Sequence, residues 1–144
     1  MRHTRSKIVA AVCLSLIVAA AWVFLGRARR LAYVDSAIGS IRVLVAAETK
    51  YAQTHPQIGY TWSLSDLRDV DSATAPASSG RQNEYVFEIS GCSTGAKSAN
   101  SRFQIKARPL LAGMPAFCAD QSGVVKYDDG GSGDKCLADG SPIG

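Results

Sequence analysis

Residues 8–25 form an unbroken apolar run, with no Asp, Glu, Lys, Arg, His, Asn, Gln, Gly or Pro. Arg2, Arg5 and Lys7 precede it, and Arg27, Arg29 and Arg30 follow it. At ~1.5 Å per residue, a run of this length sits at the lower edge of what crosses the ~30 Å hydrocarbon core of a bilayer. No turn cluster separates it from the next segment, which has helical periodicity. The simplest reading is one long helix that carries a small domain. Such a chain suits an anchored or assembling subunit better than a soluble enzyme.

Charge supports this reading. The chain is at +4, but residues 1–30 hold six of its 16 basic residues and no acid. The remainder has 10 basic against 12 acidic residues, or −2. The basic character therefore flanks the apolar run and is not a footprint for DNA or RNA. No nucleic-acid partner is expected.

Three readings compete for the apolar run. It is an uncleaved signal anchor, a secretory signal cleaved near Ala19-Ala20-Ala21, or a prepilin-type leader. The anchor is favoured, because Trp22 to Leu25 continue the run past the alanines. The expected anchor residues are Ile8, Leu16, Trp22 and Leu25, and the expected partner is the lipid bilayer. The expected location is a bacterial inner membrane, crossed once, with the C-terminal domain periplasmic or extracellular. Residues 1–7 are then a basic cytoplasmic tail, 8–25 a transmembrane helix, and 26–55 an amphipathic helix continuing from it. Residues 56–144 form a small antiparallel β domain with a loop-rich tail.

Leu31, Val34, Ile38, Ile41 and Val45 recur at steps of three and four, the spacing of one helix face. That stripe is the expected packing face. The helix should end near Thr54-His55-Pro56, since proline disfavours the α conformation in the residue before it. Residues 63–67 suit a short helical turn capped by Ser63 or Ser65. Residues 73–82 are rich in Ser, Ala, Pro and Gly and should form a surface loop. Tyr85, Phe87 and Ile89 alternate with more polar neighbours, as do Phe103, Ile105 and Ala107, so both stretches read as half-buried strands. Residues 117–120 and 124–127 flank Gln121-Ser122-Gly123, a hairpin with Gly in the left-handed position. Residues 128–144 lack periodicity. The fold class is α+β: a long helix on a three- or four-stranded antiparallel sheet.

No constellation for catalysis assembles. His3 lies in the basic tail and His55 at a helix end, where it answers the helix dipole. No GxSxG, HExxH, phosphate loop or dinucleotide fingerprint is present, so no enzyme is expected. Asp128, Asp129 and Asp134, on a Gly-rich stretch with Asp120 and Asp139, are the one set that would suit calcium. Their spacing is not that of an EF-hand, and a solvated acidic loop is the favoured reading. No other cofactor is expected.

Of four cysteines, Cys13 lies in the apolar run. Cys92, Cys118 and Cys136 match no CxxC pattern, and two histidines are too few for a Cys/His metal site. One disulfide with one thiol left over fits an oxidising compartment, against the alternative of three buried free thiols. The expected pair is Cys118–Cys136, because the terminal hairpin and its Gly-rich loop must close on the sheet. Pairing of Cys92 with either is the alternative.

Residues 36–54, SAIGSIRVLVAAETKYAQT, lead into GYTWSLSDL at 59–67. Near the end stand FCADQSGVVKY at 117–127 and SPIG at 141–144. Together these segments resemble type IV pilin-like and pseudopilin-like proteins over about residues 30–144. The resemblance implies a structural or accessory subunit of a type IV pilus or type II secretion-like system, with pilin-like or secretion-system subunits as partners. The family's prepilin cleavage context, including an acid near the start of the apolar run, is absent: the first acid is Asp35. A binding module in the periplasm that does not assemble, or a soluble secreted domain after signal cleavage, is the alternative.

Overall fold

The computed structural model describes the backbone of residues 2–91 and 99–143, with side chains described from Cys13 onward. The chain divides into two compact units, residues 1–32 and 33–144. Helix α1, Arg2–Thr54, supplies the first unit and enters the second. Among the described residues no helix is long and apolar enough to cross a membrane. This overturns the expected single-pass placement in an inner membrane, and the transmembrane half of the expected fold.

In the second unit, α1 packs on an antiparallel sheet. Ala37, Ile41, Leu44, Ala47 and Tyr51 are its buried apolar residues. Leu44 and Ile41 are fully enclosed, and the alanines at 37 and 47 are buried beside them. The helix ends as the sequence requires. The His55 N–H still reaches the Tyr51 carbonyl at 2.9 Å, the Thr54 hydroxyl donates to the Tyr51 carbonyl at 3.0 Å, and the His55 ring stacks on Tyr51 with centroids 4.2 Å apart. Pro56 then has no N–H to continue the ladder.

The sheet has six strands, not three or four: β1 Arg81–Gln82, β2 Tyr85–Ser90, β3 Gln104–Pro109, β4 Ala116–Asp120, β5 Lys126–Asp128 and β6 Ser141–Pro142. They pair in sequence order, each antiparallel to the next. The expected strands are β2 to β5, and β1 and β6 are the additions. Both added strands are two residues long, too short for any alternation to register. Gln121-Ser122-Gly123 forms the expected turn, with Gly123 at φ +77° and its N–H on the Asp120 carbonyl at 3.0 Å.

Helix α2, Leu64–Val70, is capped by Ser63, whose hydroxyl accepts from the Asp66 N–H. The expected loop over 73–82 is instead a 3₁₀ turn, Ser72–Thr74, then the short helix α3, Ala75–Ser78, then β1. Pro76 fits there because the first helical turn needs no N–H from it. The tail that lacks periodicity holds α4, Gly133–Asp139, capped by Ser132. Every residue of β4 from Ala116 to Ala119 is buried, because α1 covers one face of the sheet and α4 packs on the other.

Gly59, at φ +77°, supports the connection from α1 to α2. It forms a parallel bridge with Asn100, and a Cβ there would run into the Asn100 backbone. Asn100 holds both sides: its N–H donates to the Ile58 carbonyl at 2.7 Å, and its carbonyl accepts from Tyr60 N–H at 3.0 Å.

Candidate assembly surface and buried polar sites

Among the described residues, the first unit presents exposed apolar side chains. Leu14, Leu16, Ile17, Trp22, Val23 and Phe24 are between 58% and 74% exposed, and Leu25 is also exposed. Their positions go round the helix instead of forming one stripe. A helix that is apolar on all sides is normally covered by other structure. Ala19 and Ala20 form a shallow depression bordered by Leu16, Val23, Phe24 and Arg27, where small side chains let another helix approach. Of the expected anchor residues, Leu16, Trp22 and Leu25 lie on this surface, and the side chain of Ile8 is outside the described set. Cys13 is exposed and unpaired in a disulfide.

The expected packing face is present but turned. Ile41 is its one fully enclosed member. Val34, Ile38 and Val45 pack partly against the core, and Leu31 is exposed and lies in the first unit. The centre of the face passes instead through Ala37, Leu44, Ala47 and Glu48. Counting only large apolar residues misses this, because two alanines and a carboxyl share the buried side with Ile41, Leu44 and Tyr51.

Cys118 and Cys136 form the expected disulfide, with Cα atoms 5.9 Å apart and both residues fully buried. The bond ties α4 to β4. Cys92 lies outside the described residues.

The acidic tail is not gathered into one site. Asp128 Oδ2 accepts from the Ser132 N–H at 2.9 Å, shaping the turn before α4. Asp134 meets Lys106 Nζ at 3.0 Å across the sheet, while Asp129 is exposed. Lys106 also faces Glu88 at 3.4 Å, and Arg108 reaches Glu88 at 3.7 Å. The Lys106 pKa is raised, first by its hydrogen bond to Asp134. Among the described residues, no group of three or more His, Cys, Asp or Glu is placed to hold a metal ion.

A shallow groove lies between α2, α3 and β2, lined by Trp62, Leu64, Ser78, Ser79, Glu88 and Ile89. Its one carboxylate, Glu88, is already paired with Lys106 and Arg108. Elsewhere Tyr85 is fully enclosed, and burial pushes its phenol up to about 12. Its hydroxyl donates to the Pro115 carbonyl at 2.9 Å.

Glu48 is the polar residue that the sequence reading passes over. It is fully buried on the sheet-facing side of α1. Its Oε2 accepts the Thr61 N–H at 2.9 Å, and its Oε1 has no hydrogen-bond partner among the described residues. The signal was available: Glu48 falls three or four residues from Leu44, Val45 and Tyr51, so an acid interrupts an otherwise apolar face. Neither a family model, nor a curated protein, nor a solved structure matches this chain.

Proposed function

We propose that this chain is a non-catalytic, pilin-like subunit that assembles through the exposed apolar part of α1 with other copies or with related helices. It would act as a structural or accessory subunit of a type IV pilus or type II secretion-like system. The observation that carries this reading is the band of uncovered apolar side chains over residues 14–25. Exposed apolar area of this extent, continuous along a helix, marks a surface that another molecule covers. The sheet already covers the α1 face in the second unit, so that part needs no partner to be stable. The order of elements, helix then antiparallel meander, supports the same reading. So do the residue segments that resemble pilin-like proteins.

Cys13 provides the test, because it is exposed within the apolar band. Mild oxidation of the full chain should give a disulfide-linked dimer if helices from two copies lie side by side. Cys13→Ser should abolish that dimer, while Cys92→Ser should keep it. Replacing Ile17 and Val23 together by Glu should leave a monomer with an intact fold. A wild-type chain that stays monomeric at every concentration, with no Cys13-linked product, would favour the non-assembling binding module instead.

A further inference from the structure

Glu48 and the segment after α1 form a connected polar device in an otherwise apolar setting. The Thr61 N–H donates to Glu48 Oε2 at 2.9 Å, and the Thr61 hydroxyl donates to Asp66 Oδ2 at 3.0 Å. The Ser63 N–H donates to the Thr61 hydroxyl at 3.1 Å, and the Ser63 hydroxyl donates to Asp66 Oδ1 at 3.0 Å. One residue, Thr61, thus links a carboxyl on α1 to the carboxylate in the first turn of α2. Ser63, the cap of α2, belongs to the same network. Thr61 and Glu48 are both buried, so water cannot replace these bonds without the segment moving.

The setting is costly for an ionised Glu48, which receives a single hydrogen bond among the described residues, from the Thr61 N–H. A carboxylate away from water requires donors or a cation, and Oε1 has neither among the described residues. From α2, the charged group that acts on Glu48 is Asp66, which is of like sign; Arg68 and Asp69 are exposed to solvent. From α1, Tyr51 and His55 follow at helical spacing, and their rings are stacked on each other. From the connecting segment, Thr61 offers only its N–H.

We propose that Glu48 and residues 61–66 form a proton-dependent latch, which fastens α2 to α1 while Glu48 is neutral and releases it as Glu48 ionises. Burial drives the Glu48 carboxyl up to about 8, the Thr61 N–H opposes that rise, and Asp66 adds to it. An opened segment lets the carboxyl reach water and return to its ordinary value, near 4.5. The closed form therefore holds one more proton than the open form between these two values. Opening should become easier with rising pH across that window and then level off. Release of the segment would also move Trp62 and Leu64, which line the surface groove.

The test is hydrogen exchange, read by mass spectrometry on the full chain and corrected for the intrinsic pH dependence of each amide. Residues 59–70 should exchange faster than β2 and β3, and their opening constant should rise about tenfold per pH unit from about pH 6 to about pH 8. Glu48→Gln, neutral at every pH, should remove that slope. A flat wild-type response would overturn the latch, as would a slope that persists in Glu48→Gln. Equal exchange in residues 59–70 and in the strands would also overturn it, since the segment would then open only with the whole unit. If Glu48→Gln does not fold, the carbon-13 carboxyl resonance of Glu48 in the wild-type chain decides. Titration well above the ordinary range supports the latch, and titration near 4.5 overturns it.

Discussion

Reducing the Cys118–Cys136 bond should remove a well-defined part of the stability of the second unit. The two cysteines are 18 residues apart in sequence. Closing a loop of that size lowers the entropy of the unfolded chain by an amount equivalent to about 3 kcal/mol. Reduction leaves both sulfurs in place, so the core loses little packing and the loop term dominates. The effect should concentrate on α4, which has seven residues. Isolated helices shorter than about 12 residues are marginal in water, so α4 depends on its attachment. Besides its packing on the sheet, its polar supports are the Ser132 cap and the pair between Lys106 and the exposed Asp134. These supply about 1 kcal/mol or less each. Urea unfolding with and without reductant is the assay, with the double variant Cys118→Ala/Cys136→Ala as a second route to the same state. The expected loss is about 3 kcal/mol, and a fall in melting temperature of about 10 °C for a unit of this size. Hydrogen exchange over residues 133–139 should rise by more than over β3. A loss below about 1 kcal/mol, with α4 still protected, would refute the reasoning, because the tail would then be held without the cross-link.

Other perturbations test other parts of the fold. Leu44→Ala removes a fully enclosed side chain at the centre of the helix–sheet contact and should lower urea stability by about 3 kcal/mol. Ser63→Ala removes the cap of α2 and one link to Asp66, and should lower stability by about 1 kcal/mol, with increased exchange confined to residues 61–70. Asp134→Ala breaks an ion pair whose acid is 87% exposed, and should change stability by less than about 1 kcal/mol, fading in high salt. The Glu48 carboxyl is raised in the folded state, so the folded chain binds the extra proton and stability falls as pH rises from 4.5 to about 8. The slope should approach about 1.4 kcal/mol per pH unit in urea titrations, disappear above that window, and be absent in Glu48→Gln.

Elements whose pattern is local and long are readable from the residues alone. The helix through residue 54 was legible from apolar spacing and from Pro56, and β2 to β5 from alternation and the Gln121-Ser122-Gly123 turn. The Cys118–Cys136 pair followed from the need to close a chain end with no periodicity. The remaining elements depend on contacts between distant segments. The turn into β2 places Asn83 and Glu84 at φ +47° and +64°, a conformation usually signalled by Asn-Gly. With Glu at the second position the signal is missing, and β1 exists because β2 is there to pair with it. Likewise β6 and α4 are too short to hold themselves, and they form against β5 and through the disulfide. The side of α1 that is buried is set by where the sheet lies against the helix: it runs through Ala37, Ile41, Leu44, Ala47 and Glu48, and Val45 is only partly covered. In sequence Glu48 shows only as an acid that interrupts an apolar helix face. Only the fold, by placing Thr61 over it and excluding water, turns it into a buried carboxyl whose charge state affects the surrounding structure.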